Sequence, residues 1–409
     1  MKNLQNAVVV VGGGPAGSFF AYELAKRGVS VSVFEEHPEV GVPSHCAGHL
    51  SIRSLKSLGL YSLPQGVVEN EFSGANFYSP NGTKFSVRLA NPVTCAVNRS
   101  LFDRYLAEKA QAAGVQYFFG SRVSSLLMED GVVKGVNVAQ SGKVEAQVPA
   151  KIVVDAEGLS SRLMRHAGLP TLKREGLVYA VEAEVENVQN VEAHAVEVYV
   201  GNEYAPGFYA WLIPRLDGTA KVGLATRSGN PKEFLQRLMH RHPVASKQLG
   251  NAKVTQMAFH AITLGGPVAK AYSNGFLAVG DCASQVKSTT GGGVVFSVTC
   301  AKFAAEVASQ ALREGDVSAE FLRLYQKRVD DSLGFDVRVM LKMREFLNKL
   351  SDEQMDKALR FAARTGLGGA LRDVEEIDFQ GRTLLTVLRK PSAYAALVYF
   401  ASLYLSANA

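Results

Sequence analysis

A chain of 409 residues, 47% of them hydrophobic, can bury one large core or two connected ones without disulfide or metal staples. Charged residues make up 20%, and Lys and Arg are scattered among Asp and Glu for a net charge of +6. This composition excludes a disordered or low-complexity protein and gives no support to nucleic-acid binding. The four cysteines, Cys46, Cys95, Cys282 and Cys300, contain no CxxC pair, which argues against zinc or an iron–sulfur cluster, and no metal is expected. With no basic leader ahead of the first strand, the expected setting is reducing and cytoplasmic.

In chain order, residues 7–11 form a continuous β-branched run, as in a central parallel strand buried on both faces. A glycine loop follows, then a helical stretch over 15–26 broken by Gly28, then a second apolar run over 29–34 that ends in Glu35 and Glu36. Strand, glycine turn, helix and strand make one βαβ unit. Residues 41–98 read as mixed and loop-rich. An amphipathic helix is predicted over 101–113, with Phe102, Leu106, Ala110 and Ala113 near one face. Runs at 122–128 and 132–139 joined through Asp130-Gly131 predict a hairpin, and 152–155 another buried strand. Alternation through 178–185, 195–200, 207–214, 220–226 and 255–263 predicts an antiparallel sheet. An apolar strand over 275–281, a long helix beyond Gly293 and a helical C-terminal third complete the chain.

The first glycines carry chemistry. In Gly12-Gly13-Gly14-Pro15-Ala16-Gly17, Gly12 allows a tight turn, Gly14 lets backbone approach a pyrophosphate, and Gly17 lets helix pack on strand. The helix N-terminus turns its amides and positive dipole end toward phosphate. Glu35 closes the second strand about twenty residues on, where a carboxylate accepts ribose hydroxyls; Glu36 and Ala16 are counted with this site. The bland alternative is a generic glycine turn and an exposed Glu, but strand, helix and acid all occur in order. An acidic strand end disfavours a 2′-phosphate, hence NADP, at this position.

Residues 275–281, ending Gly280-Asp281, and the glycines Gly291, Gly292 and Gly293 resemble the second flavin fingerprint of glutathione-reductase-like and hydroxylase-like FAD proteins. The resemblance implies FAD, with Asp281 on the ribityl chain and Gly292 and Gly293 opening a helix beside the flavin N1–C2=O. Arg99, with Phe102 and Asp103, is similar to the R-x-x-F-D element of that superfamily, which implies an Arg near flavin and pyrophosphate; ordinary helix capping is the alternative. Asp155-Ala156-Glu157-Gly158, followed by Ser161 and Arg162, resembles its D-A-D-G element, with Glu157 in place of Asp, and is read as structural.

Two further stretches resemble the geranylgeranyl reductases, as in the digeranylgeranylglycerophospholipid reductases. Pro206-Gly207-Phe208-Tyr209-Ala210-Trp211-Leu212-Ile213-Pro214 matches P-x-x-Y-x-W-x-F-P except at Ile213, and Pro43-Ser44-His45-Cys46-Ala47-Gly48 stands where P-x-x-C-G-G is expected. Tyr209 and Trp211 share one strand face and so suit an apolar pocket, or an aromatic sheet core. Cys46 is the candidate proton donor, with His45 and His49 near it in sequence; a small buried hydrophobe is the alternative. The resemblance implies an α/β protein: a discontinuous glutathione-reductase-like FAD-binding Rossmann domain (1–175 and 265–330), an inserted antiparallel β-rich substrate domain (176–264) and a helical C-terminal region (331–409). It also implies that reduced flavin delivers hydride, coupled to protonation, to a prenyl lipid C=C bond. Ferredoxin, a deazaflavin coenzyme and NADPH all remain as electron donors. The rival is an FAD monooxygenase using NAD(P)H and oxygen on an apolar substrate; electron-transfer quinone oxidoreductases and prenyl-binding escort proteins fit less well. Residues 393–405, with Tyr394, Tyr399 and Tyr404 after Arg389-Lys390, are too short to span a bilayer but suit lying on the inner face of one, or packing as a terminal core helix.

Overall fold

The computed structural model describes residues 7–44, 46–140, 146–372, 374–390 and 393–408. Contacts divide the chain into two compact units, Met1–Ser44 with Arg99–Gly176 and Thr263–Phe335, and His45–Asn98 with Leu177–Ile262 and Asp336–Ala409.

The first unit is built on a six-stranded sheet. Val8–Val11 lies at its centre, parallel to Val31–Phe34 on one side and Ile152–Asp155 on the other, and all three are fully buried. Gln116–Phe118 and Phe276–Ala278 extend it in parallel, and Tyr272–Ser273 closes one edge antiparallel. Strands buried on both faces carry no alternation, which is why runs of Val mark them so plainly. The helix Pro15–Ala25 follows the first strand, and Arg99–Ala112 buries Phe102, Leu106 and Ala110. The hairpin Ser121–Glu129 with Val132–Gln140 turns on Asp130 (φ 49°) and Gly131 (φ 74°), the two left-handed residues that a two-residue hairpin loop needs. Ala146–Pro149 adds a third strand to it.

The second unit centres on a seven-stranded sheet in the order Lys253–Thr263, Leu177–Glu186, Ala220–Thr226, Tyr209–Pro214, Ala195–Val200, Gly74–Tyr78, Lys84–Arg88. One face packs Val181, Ala183, Tyr199, Ala210, Leu212 and Leu224 against Leu235, Leu238 and Met239 of the helix Pro231–Arg241. That helix is absent from the sequence expectations, although Asn230 caps it through Lys232 N (3.0 Å) and Pro231 occupies its first turn.

Residues 41–98, expected as a loop-rich insertion of the nucleotide-binding part, form strands instead, and most of them group with the second unit. His49–Ser51, Thr94–Val97 and Val68–Phe72 make a small sheet of their own, while Gly74–Tyr78 pairs in parallel with Ala195–Val200. Strands of three to five residues as polar as Val-Glu-Asn-Glu-Phe present no readable period, and pairing across more than a hundred residues leaves no local trace. The helices beyond Asp336 likewise group with the second unit rather than forming a separate region.

His242 is fully buried in that unit, its ring edge-on to Tyr199 and Tyr204. Its Nδ1 accepts from Val244 N and Ala245 N, so the proton resides on Nε2, which donates to Ser79 O (3.0 Å). Burial, only partly offset by that bond, pushes its pKa from 6.5 down to about 4. The folded ring therefore stays neutral while the unfolded one gains a proton below 6.5, so stability is present at neutral pH and is lost as pH falls toward 4. At about 1.4 kcal/mol per pH unit the loss is on the order of 3 kcal/mol. His242→Gln is expected to be less stable at pH 7 but flatter than wild type between about pH 6.5 and 4 in denaturant melts; an equally steep profile would refute this assignment.

Candidate active site

The residues expected to bind the nucleotide meet at the C-terminal ends of the parallel strands, where such sheets bind ligands. Gly12 turns with φ 97°, and a Cβ there would lie 2.4 Å from Ala156 O; one on Gly17 would lie 2.0 Å from Gly12 O. These two contacts seat the helix Pro15–Ala25 directly above the first strand. A Cβ on Gly14, by contrast, would meet nothing within 4 Å, and no side chain caps the helix start. Its amides thus face an open cradle suited to a pyrophosphate. Ala16 packs toward Gly280, where an added Cβ would lie 3.2 Å from its own. Glu35 is buried, with Oε2 accepting from Gly13 N (2.7 Å) and Oε1 from His37 N (2.9 Å) and the His37 ring. A carboxylate offers about four acceptor positions, so it can still take a ribose hydroxyl. Glu36 differs: it is exposed and faces Arg122 Nε at 3.5 Å, away from the glycine turn.

At the second fingerprint, Gly280 N donates to Gln285 Oε1 (2.8 Å), whose amide donates to Tyr325 OH, which in turn donates to Ala278 O. This brace holds the turn that presents Asp281. A Cβ on Gly293, the N-cap of the helix Val294–Glu314, would come within 3.1 Å of Asp281 Oδ1; one on Gly292 would press on the side chain of buried Lys287 at 2.7 Å. Burial raises the Asp281 carboxyl, and Arg99 acts against the rise. Arg99 also grips buried Asp103 through Nε (3.0 Å) and Nη2 (2.9 Å). One guanidinium therefore compensates two buried carboxylates. Gln285 and Lys287 were not singled out from sequence, where a lone Gln and Lys inside an apolar loop look ordinary. In the Asp155-Ala156-Glu157 element, Glu157 Oε1 accepts from Leu163 N (2.8 Å), and Asp155 Oδ1 from Glu157 N (3.0 Å). Burial and the Glu157 charge push Asp155 up to about 8.

In the second unit, Tyr209 and Trp211 share the face of their strand opposite to Ala210 and Leu212, with rings edge to face at 5.9 Å. Trp211 packs with Phe72, Ala96, Val196 and Ile213, and Ala47 packs on the same cluster. The segment bearing Cys46 thus reaches the neighbourhood of Trp211. Cys46 is half-buried, whereas Cys95, Cys282 and Cys300 are buried; burial pushes Cys95 up to about 12. His45 lies outside the described residues. His49 Nε2 bonds Thr94 Oγ1 (2.7 Å) on the adjacent strand. Lys221, unmarked in the sequence, donates to Glu69 (2.7 Å), Val97 O (3.1 Å) and Ala47 O (3.4 Å), so a buried cation anchors the residue after Cys46. Among the described residues no cluster of His, Cys, Asp or Glu is placed to hold a metal ion.

The family described as FAD binding domain matches residues 5–328. Digeranylgeranylglycerophospholipid reductase 2 of Methanopyrus kandleri is 33% identical over 94% of this chain and 96% of its own length. Digeranylgeranylglycerophospholipid reductase of Methanocaldococcus jannaschii is 34% identical over 97% of both chains. A geranylgeranyl bacteriochlorophyll reductase-like protein of Thermoplasma acidophilum superposes with a TM-score of 0.85 at 26% identity, over 96% of this chain and 98% of that one. A flavin-dependent brominase, at 20% identity and TM-score 0.71 over 93% and 98%, shares the fold.

Trp211 lies over Gly223, its register partner on the next strand: a Cβ there would sit 2.5 Å from Trp211 Cζ2 and 2.7 Å from Val181 O. Gly223→Ala should displace the indole, shift the emission of the chain's single tryptophan and cost about 1–3 kcal/mol, with flavin content unchanged. An unaltered emission spectrum would show that the indole does not rest on that glycine.

Proposed function

Since the chain belongs to the digeranylgeranylglycerophospholipid reductase family of FAD-dependent oxidoreductases, we propose that it saturates C=C bonds in the geranylgeranyl chains of ether-type membrane lipids. The observation that carries this reading is likeness over nearly the whole chain, together with the Tyr209–Trp211 strand face and the Cys46 segment packed beside it. FAD is the cofactor, and a reduced donor must reload it. We assign its pyrophosphate to the cradle at Gly12, Gly14 and Gly17, its ribose to Glu35, and its ribityl chain to Asp281 beside Arg99, Gly292 and Gly293.

Reduced FAD supplies a hydride. An isolated trisubstituted alkene cannot delocalise the negative charge that hydride alone would leave, so the protein must provide a proton to the other carbon. Cys46 Sγ is assigned that proton: it is the half-buried thiol of the four, and so can be reprotonated from solvent. Protonating the less substituted carbon puts positive character on the tertiary one, which the π-faces of Tyr209 and Trp211 stabilise. Lys221 fixes the Ala47 carbonyl and thereby the Cys46 backbone. Ferredoxin, a deazaflavin coenzyme and NADPH are the donor candidates, separable by steady-state assay with each.

Among the described residues no helix is long and apolar enough to cross a membrane. We assign peripheral contact to Leu384, Leu385, Tyr394 and Val398, all exposed. Tyr399, expected at the interface, instead stacks on Phe361 at 4.0 Å, and Tyr404 lies 5.7 Å from Phe346. Leu385→Glu combined with Val398→Glu is expected to reduce co-sedimentation with anionic vesicles; unchanged binding would place the contact elsewhere.

The reaction is tested anaerobically by reducing the flavoprotein and timing its reoxidation by geranylgeranyl phospholipid. Cys46→Ala is expected to keep its flavin and slow this step by roughly a hundredfold or more. Cys46→Ser, a similar shape with a far weaker acid, should fall between, and Cys300→Ala, deep in the helix Val294–Glu314, should be mild. A Cys46→Ala rate equal to wild type would make that thiol structural. Oxygen uptake coupled to NAD(P)H in the presence of lipid would favour the monooxygenase reading instead.

A further inference from the structure

The residue after Cys46 is held by a charge cluster that a plain packing contact would not need. Lys221 lies in the strand Ala220–Thr226 and is only 4% exposed. Its register partners are Ile213 and Glu184, and it stands two residues before Gly223, on which Trp211 rests, on the same face of the sheet. Its ammonium has three donors, and three acceptors receive them: Glu69 Oε2 at 2.7 Å, Val97 O at 3.1 Å and Ala47 O at 3.4 Å. Val97 N in turn donates to Gly48 O (2.9 Å). The backbone just beyond Cys46 is thus gripped at two successive carbonyls.

Glu69 is aimed by the backbone. The strand Val68–Phe72 pairs Val68 with Val97 and Asn70 with Ala96, so Glu69 is the extra residue of a β-bulge. A bulge turns one side chain out of the alternation of its strand. Here it sends the carboxylate to Lys221 and, at 3.2 Å, to Arg215, which also holds Glu184 (2.6 Å). Asn70, next to the bulge, donates to Pro214 O (2.9 Å) and ties the small sheet to the strand Tyr209–Pro214. Two cations and two carboxylates balance. Apolar residues of the same volume would fasten the two sheets without burying any charge. What they could not do is fix two backbone carbonyls in direction, which takes a hydrogen-bond donor.

We propose that Lys221, set in place by Glu69, is a positioning residue for the Cys46 thiol, holding its segment against the face that carries Trp211. The consequence for rate rests on the reading of Cys46 as proton donor given above; the placement itself is measured without turnover.

Flavin-loaded holoenzyme would be treated with iodoacetamide, and alkylation of Cys46 followed by the mass of its peptide. Lys221→Met, which keeps the stem and removes the donors, is expected to speed alkylation by about tenfold or more as the segment loosens. Glu69→Gln keeps an acceptor and loses the charge, so it serves where Lys221→Met folds poorly, and its alkylation rate should lie between. Lipid-dependent reoxidation per bound flavin should slow by about a hundredfold in Lys221→Met, as for a reacting group misplaced by about 1 Å. Added to Cys46→Ala, however, Lys221→Met should change the rate by less than about twofold, because residues that act as a unit do not add. Alkylation as slow in both variants as in wild type overturns the proposal. So do losses that multiply when Lys221→Met is combined with Cys46→Ala, since Lys221 would then act as a general brace. A Cys46→Ala enzyme reoxidised at the wild-type rate would remove the proton-donor reading, while faster alkylation in Lys221→Met would still support the placement.

Discussion

The first unit is registered on one contact, the approach of Gly12 to the carbonyl of Ala156, where even a methyl group would sit 2.4 Å from oxygen. Through it the first strand, the glycine turn and the end of Ile152–Asp155 are locked at a spacing that no other side chain allows. Gly17 repeats the constraint one helical turn later against Gly12 O. The helix above can then aim its uncapped amides at one point, with Glu35 held at the rim by Gly13 N. The fit here is of backbone on backbone more than of side chains, so a larger residue at position 12 removes the turn.

The two units handle buried charge differently. In the first, Arg99 lies by Asp103 and Asp281 together, which keeps two desolvated carboxylates tolerable. In the second, Lys221 and Arg215 meet Glu69 at 2.7 and 3.2 Å beneath the segment that carries Cys46. Breaking such a buried pair leaves an uncompensated charge and costs far more than the pair itself contributes.

Much of this was legible in the sequence, and the reasons are local. Strands buried on both faces read as runs of valine, the glycine turn requires glycine for steric reasons, and Asp130-Gly131 spells its own hairpin. Legibility failed where structure depends on distant partners. The strands between residues 49 and 97 are too short and too polar to show a period, and the parallel pairing of Gly74–Tyr78 with Ala195–Val200 has no sequence signature. Nothing in the sequence separates Glu36 from Glu35, yet beyond the end of the strand Glu36 is exposed beside Arg122. Lys221 and Lys287 were invisible because a lone basic residue in an apolar stretch gains meaning only from what surrounds it. The helix at Pro231–Arg241 was readable from Asn230-Pro231 and passed over within a region that otherwise alternates.

If the proposed reduction holds, the two hydrogens of the saturated bond both come from exchangeable sites, one as hydride from the flavin and one as a proton. Reduced flavin exchanges its N5 hydrogen with solvent, and so does a thiol. The direct measurement is the mass of the lipid after a single anaerobic turnover of the reduced enzyme in heavy water. The product is expected to carry two added deuterium atoms per reduced bond, on adjacent carbons. A lipid of unchanged mass, or one that gains an oxygen atom only when air is admitted, would contradict it.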